Sequence, residues 1–131
     1  MKTVFITGAA GFIGSSLALR VLADEPETRL VGLDNMNDYY DVRIKEARLA
    51  RLKTYPNFIF VQGNLADKVL LDSIFEQYAP QVVVNLAAQA GVRYSITNPD
   101  AYIESNLIGF YNVLEACRRH PVEHLVYASS S

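Results

Sequence analysis

The residues with the clearest chemical potential are Gly8, Gly11 and Gly14, spaced three apart in TVFITGAAGFIG (3–14), and Asp34, twenty residues beyond the last of them. A first glycine permits a tight turn, a second lets a pyrophosphate approach the backbone, and a third allows a helix to pack closely on a strand. A helix that starts just after such a turn presents unpaired N–H groups to an anion. A carboxylate at the end of the next strand accepts hydrogen bonds from the 2′- and 3′-hydroxyls of an adenosine ribose and repels a 2′-phosphate, which favours NAD over NADP. Together the four residues point to dinucleotide binding. Asn35 and Asn37 beside the carboxylate are open to two readings, since asparagine is also a common turn residue.

Such a site needs strands that end together and helices that start there. TVFIT (3–7) predicts a strand, and residues 12–24 a helix, because Ile13, Leu17 and Val21 recur at four-residue steps until Glu25-Pro26 ends the pattern. LVGLD (30–34) predicts a second strand, followed by a polar loop through Tyr39-Tyr40, a basic helix over 41–53 and a third strand over 58–61. Asp67 can cap a helix whose Leu70, Leu71, Ile74, Phe75 and Tyr78 share one face. Pro80 closes it before VVVNLAA (82–88), an apolar run typical of a strand covered on both faces. Pro99-Asp100 opens a longer helix to Arg119, and HLVYAS (124–129) is a fifth strand. Strands and helices alternating at these lengths call for right-handed crossovers and an α/β fold: a doubly wound, Rossmann-type parallel sheet in the order 3-2-1-4-5.

The bulk properties agree with one such domain. A chain of 131 residues, half of them apolar, can bury a core without disulfides or a structural metal. Twelve basic against fourteen acidic residues, with no block of like charge, give no electrostatic footprint for nucleic acid. Cys117 falls at the end of an apolar helical pattern and reads as a buried thiol, so a cytoplasmic, reducing setting is expected. Glycines interrupt the apolar stretch after Lys2, which argues against a signal peptide, and no run reaches membrane-spanning length.

At this point the sequence resembles the extended short-chain dehydrogenase/reductase family, which carries the spacing of TGAAGFIG in place of GxGxxG. LDNMNDYYD (33–41) and NLAAQAGVRYSITNP (85–99) narrow the resemblance to nucleotide-sugar epimerases, closest to UDP-glucuronate 4-epimerases. The resemblance implies NAD as cofactor, with Gly8, Phe12 and Ile13 lining the pyrophosphate, Asp34 and Asn35 the ribose, and Asn64-Leu65 the adenine. Leu86, Ala87 and Ala88 would follow the cofactor toward its nicotinamide half. Asn64 stands where relatives often carry aspartate, so it would accept from the adenine amino group without charge, and Asn85 replaces the histidine of some relatives. Asn106 matches a position that often supports the active site, and can equally be an asparagine on a helix face. Ser130 is the catalytic serine position, following strand five, whose carboxyl end borders the ligand crevice in such sheets. Arg93, after strand four, is open between a solvated or phosphate-neutralising arginine and a bidentate partner for a glucuronate carboxylate.

The family's proton-transfer pair, tyrosine and lysine four residues apart, is missing: none of the eight tyrosines has lysine at that spacing. Tyr39 with Arg43 comes nearest, but arginine does not replace the ammonium that lowers a tyrosine pKa. His120 precedes strand five and His124 opens it, at the end opposite the crevice. The chain thus reads as an incomplete Rossmann domain, truncated after strand five, from an enzyme that interconverts UDP-glucuronate and UDP-galacturonate through a 4-keto sugar. By itself it is expected to be inactive. A nucleotide sugar is the implied substrate, and a homodimer through the helix from Pro99 to Arg119 the implied assembly. Two alternatives stay open: a non-catalytic dinucleotide-sensing module, and a sugar-nucleotide 4,6-dehydratase. The latter is weakened because Ser130 and Ser131 occupy the threonine and aspartate positions of the Thr-Asp-Glu that dehydration needs.

Overall fold

The structure is a computed structural model that describes residues 2–36, 42–87, 100 and 107–127. Its elements run β1 (Thr3–Thr7), α1 (Phe12–Asp24), β2 (Arg29–Asp34), α2 (Val42–Leu52), β3 (Phe58–Gln62), α3 (Lys68–Tyr78), β4 (Val82–Asn85), α4 (Gly109–Arg119) and β5 (His124–Tyr127). The strands form one parallel sheet in the order β3-β2-β1-β4-β5, as the alternation of elements requires.

Position in the sheet explains the composition of β1. It pairs with β2 on one side, Phe5 opposite Val31, and with β4 on the other, Phe5 opposite Val83. All five of its residues are buried, so the strand is an apolar run rather than an alternation. Its side chains divide between two cores. Val4 and Ile6 join Leu30 and Val84 beneath Ala18 and Leu22 of α1 and Leu49 and Leu52 of α2. Phe5 joins Val31, Leu33 and Val83 beneath Leu71, Ile74 and Phe75 of α3 and Val113 and Ala116 of α4. Phe5 and Phe75 meet edge to face at 5.7 Å, the geometry their ring quadrupoles favour.

The helix ends follow local chemistry. Asp67 caps α3 by accepting from Leu70 N–H at 3.1 Å. Ala79 closes that helix in the left-handed region at φ 45°, a place where glycine is the usual residue, and Pro80 prevents its continuation. The apolar run 82–88 does not stay a strand throughout, because β4 ends at Asn85. Beyond it the Leu86 N–H is shared between Thr7 O at 3.2 Å and Thr7 Oγ1 at 3.0 Å, and the Ala87 N–H reaches Thr7 Oγ1 at 3.1 Å, because β1 ends at Thr7.

Cys117 lies half-buried at the edge of the second core, and burial pushes its thiol up to about 11. Near pH 8 only about one thiol in a thousand is then ionised, so alkylation by iodoacetamide should be far slower than for a free thiol. Because the folded-state value is raised, the native protein holds the proton more tightly than the unfolded chain. Stability is therefore expected to fall as pH rises from 9 toward 11, and denaturant titrations of wild type and Cys117→Ala should diverge over that window.

Candidate functional site

The carboxyl ends of β1, β2 and β4 meet where the chain order reverses, between β1 and β4. Ligands of doubly wound sheets bind at such a switch point. From the end of β1 the chain turns sharply at Gly8, whose φ of +72° is one that side-chain-bearing residues rarely adopt. A Cβ there would also lie 2.9 Å from Ala87 N, so both conformation and space demand glycine. The turn is fastened from below, with Gly8 N–H and Ala9 N–H donating to Leu33 O at 2.8 and 3.1 Å.

Gly14 serves packing. A Cβ on it would fall 2.0 Å from Gly8 O, so α1 can sit this close to the turn only with a hydrogen at that position. Gly11 has the ordinary φ of −72° and is the N-cap of α1, with no side chain capping the helix and no acidic residue in its first turn. The positive end of α1 is thus left to whatever approaches the turn. Phe12 and Ile13 stand beside it as large apolar side chains, 72% and 67% exposed.

Asp34 closes the other side. It is 4% exposed and accepts from Ala10 N–H at 3.0 Å through Oδ2, and from Met36 N–H at 2.8 Å and Lys45 Nζ at 2.9 Å through Oδ1. The carboxylate therefore ties the glycine turn to α2. Met36 is held at φ 56° by this contact, an uncommon conformation for a non-glycine residue. Lys45 is itself buried, and Arg48 one turn later donates to Ala10 O at 3.2 Å with its guanidinium 5.8 Å from the Phe12 ring. Thr7 donates to Asn85 Oδ1 while receiving the N–H groups of Leu86 and Ala87, which fixes the spacing of β1 and β4 at the groove.

The segment after β3 forms the floor beside Asp34. Gly63 N–H donates to Asp34 O at 3.1 Å, Asn64 Oδ1 accepts from Ala66 N–H at 2.9 Å, and Asn112 Nδ2 of α4 reaches Leu65 O at 2.8 Å. The structure thus brings Gly8, Gly11, Phe12, Ile13, Gly14, Asp34, Asn35, Asn64, Leu65, Leu86 and Ala87 to one end of the sheet. Ala88, Arg93, Asn106, Ser130 and the Tyr39-Tyr40 loop lie outside the described residues. His120 caps the end of α4 and His124 starts β5, at the opposite end of the sheet from the glycine turn.

Lys45, Arg48, Thr7 and Asn112 are absent from the sequence reading. A signal for two of them is present in the pattern of burial: Lys45 heads the stripe Lys45, Leu49, Leu52, and Asn112 sits within Gly109, Asn112, Val113, Ala116. Among the described residues no group of His, Cys, Asp and Glu could hold a metal ion, and no helix is long and apolar enough to cross a membrane.

Residues 4–131 match the model of the NAD dependent epimerase/dehydratase family. Protein CapI of Staphylococcus aureus is 48% identical over 128 residues, which make up 98% of this chain and 37% of that protein. A probable UDP-glucuronate 4-epimerase of Rhizobium meliloti is 47% identical, with 96% of this chain and 36% of that protein covered. A crystal structure of UDP-glucuronic acid 4-epimerase from Bacillus cereus, in complex with UDP-glucuronic acid and NAD, superposes with a TM-score of 0.89 at 28% identity. That superposition covers 98% of this chain and 40% of the other. The chain spans roughly a third of the length of the curated relatives it matches.

Proposed function

Because this chain belongs to the NAD dependent epimerase/dehydratase family, we propose that it forms the NAD-binding part of a sugar-nucleotide 4-epimerase acting on UDP-glucuronate. The observation that carries the reading is the glycine turn, packed so tightly at Gly14 that α1 starts directly over it with an uncapped N-terminus. This cradle fits a dinucleotide: a tight turn that only glycine can make, a helix start with no side-chain cap for a pyrophosphate, and a buried carboxylate beside them for ribose hydroxyls. The similarity to the Rhizobium protein supports the choice of sugar.

When bound, NAD supplies the reversible hydride acceptor that 4-epimerisation requires. Gly8, Gly11, Phe12 and Ile13 would hold its pyrophosphate, Asp34 and Asn35 its ribose, Asn64 and Leu65 its adenine. Leu86, Ala87, Ala88 and Asn106 would guide it toward the substrate. Ser130 would hydrogen-bond the sugar hydroxyl, but a serine is too weak a base to remove its proton unaided. Arg93 would hold the substrate carboxylate. The exposed Leu107, Tyr111 and Leu114 on and before α4 support a homodimer through that helix. On the same reading the 131 residues by themselves hold NAD without moving the proton.

Asp34→Ala in the full-length protein is expected to weaken NAD by about 1.5–3 kcal/mol, the range for hydrogen bonds to a charged group, measured by calorimetry. Unchanged affinity in a folded variant would remove Asp34 from the site. For the reaction, the full-length protein incubated with UDP-glucuronate and NAD should yield UDP-galacturonate on chromatography. Turnover of UDP-glucose in its place would reassign the sugar, and loss of water from the product would make the protein a dehydratase.

A further inference from the structure

The peptide unit joining Leu65 to Ala66 is clamped at both ends. Its carbonyl receives Asn112 Nδ2 from α4 at 2.8 Å, and its N–H donates to Asn64 Oδ1 at 2.9 Å. A peptide is a rigid plane, so the two bonds are coupled: a rotation that breaks one breaks the other. Asn112 is 5% exposed and Leu65 is equally buried, so the carbonyl has no water to turn to if the amide is removed. The segment is also held by Gly63 N–H on Asp34 O of β2 at 3.1 Å and by the turn bond from Asp67 N–H to Asn64 O at 2.9 Å. Asn112 reaches this plane from 47 residues away in sequence.

We propose that Asn112 is a positioning residue for adenine: by holding the Leu65–Ala66 peptide plane, it fixes which way the Asn64 amide faces the adenosine end of the groove. This rests on the reading of residues 64 and 65 as the adenine contact. Adenine offers an amino donor beside a ring acceptor, whereas hypoxanthine reverses the pair. A fixed amide therefore distinguishes the two bases, and a freely turning one does not.

The test compares affinities of the full-length protein for NAD and for nicotinamide hypoxanthine dinucleotide. Wild type should prefer NAD. Asn112→Leu, which keeps the side chain's size but not its donor, should weaken NAD about 10-fold, the equivalent of one hydrogen bond, and leave the hypoxanthine dinucleotide nearly unchanged. A merely structural role would lower both affinities together, or only the melting temperature, and would overturn the proposal. Asn64→Ala, which leaves α4 intact, should lose the preference as well, and adding Asn112→Leu to it should change the ratio no further. A preference that survives Asn64→Ala overturns the proposal even if Asn112→Leu fails to fold. If wild type binds neither dinucleotide, the cofactor reading itself is wrong, whereas NAD binding without base preference refutes this inference alone.

Discussion

Gly14→Ala is expected to cost at least about 3 kcal/mol of folding stability, the upper end for overpacking, because nothing at the site can yield. The new methyl group would lie 2.0 Å from Gly8 O and 2.9 Å from Gly8 C, which are backbone atoms. Gly8 O already accepts from Gly11 N–H at 3.0 Å, and Ala9 and Ala10 behind it are fully buried, so the turn cannot retreat. With denaturant slopes of about 1–3 kcal/mol/M for small domains, the urea midpoint should fall by at least about 1 M. Gly11→Ala is the control. Its Cβ would be 3.2 Å from the same oxygen at an ordinary φ, so a shift of a few tenths of an ångström accommodates it. Equal midpoints for the two variants would show that the third glycine does not serve packing.

Lys45→Met should cost nearly as much for an electrostatic reason. Removing one member of a buried ion pair leaves the other charge uncompensated, typically at about 3–5 kcal/mol. Asp34 keeps the N–H groups of Ala10 and Met36, which places the expected loss near the lower figure. The double variant Asp34→Asn, Lys45→Met carries no buried charge and should regain at least about 2 kcal/mol relative to Lys45→Met alone, since neutral replacements of buried pairs are often tolerated. Its cofactor affinity should nevertheless stay low, because the charge that strengthens hydrogen bonds to the ribose is gone. Thermal unfolding with calorimetric titration separates these effects, and strictly additive stability losses would refute the coupling of Asp34 to Lys45.

The contrast between these two variants shows what the sequence makes legible. Gly14 is readable in advance because its neighbours are local: a strand, a turn and a helix within a dozen residues dictate where its missing side chain would go. The strand order is readable for a related reason, since uninterrupted apolar runs such as Val82–Val84 need helices on both sides. Lys45 is not readable from charge alone, because a lysine in a basic helix is normally solvated. Only its place in the stripe with Leu49 and Leu52 sets it apart, and its partner lies on another element, at the end of β2. Asn112 is hidden in the same way, as a polar residue within an apolar stripe whose partner is set by how α4 packs on the sheet. The early end of β4 is hidden too, because Leu86 and Ala87 are apolar enough for a strand, yet both N–H groups reach Thr7 Oγ1, that of Leu86 shared with Thr7 O.

The central place of β1 also bears on synthesis at the ribosome. Its β2 neighbour follows within about 26 residues, Thr3 pairing with Arg29, but its β4 neighbour lies 78 residues on, Thr7 pairing with Asn85. Once Gln62 has emerged, β1, β2 and β3 can assemble with α1 and α2 over the first core. The hydrogen-bonding edge of β1 then stays open until Asn85 follows. At about 5–20 residues per second that interval is roughly 1–5 s, long compared with the microseconds to milliseconds of hairpin formation and collapse. The nascent chain thus carries for seconds, as an unpaired edge, a strand that the folded domain buries along its whole length, and slowing translation between Gln62 and Asn85 would lengthen the period in which that edge can capture another chain.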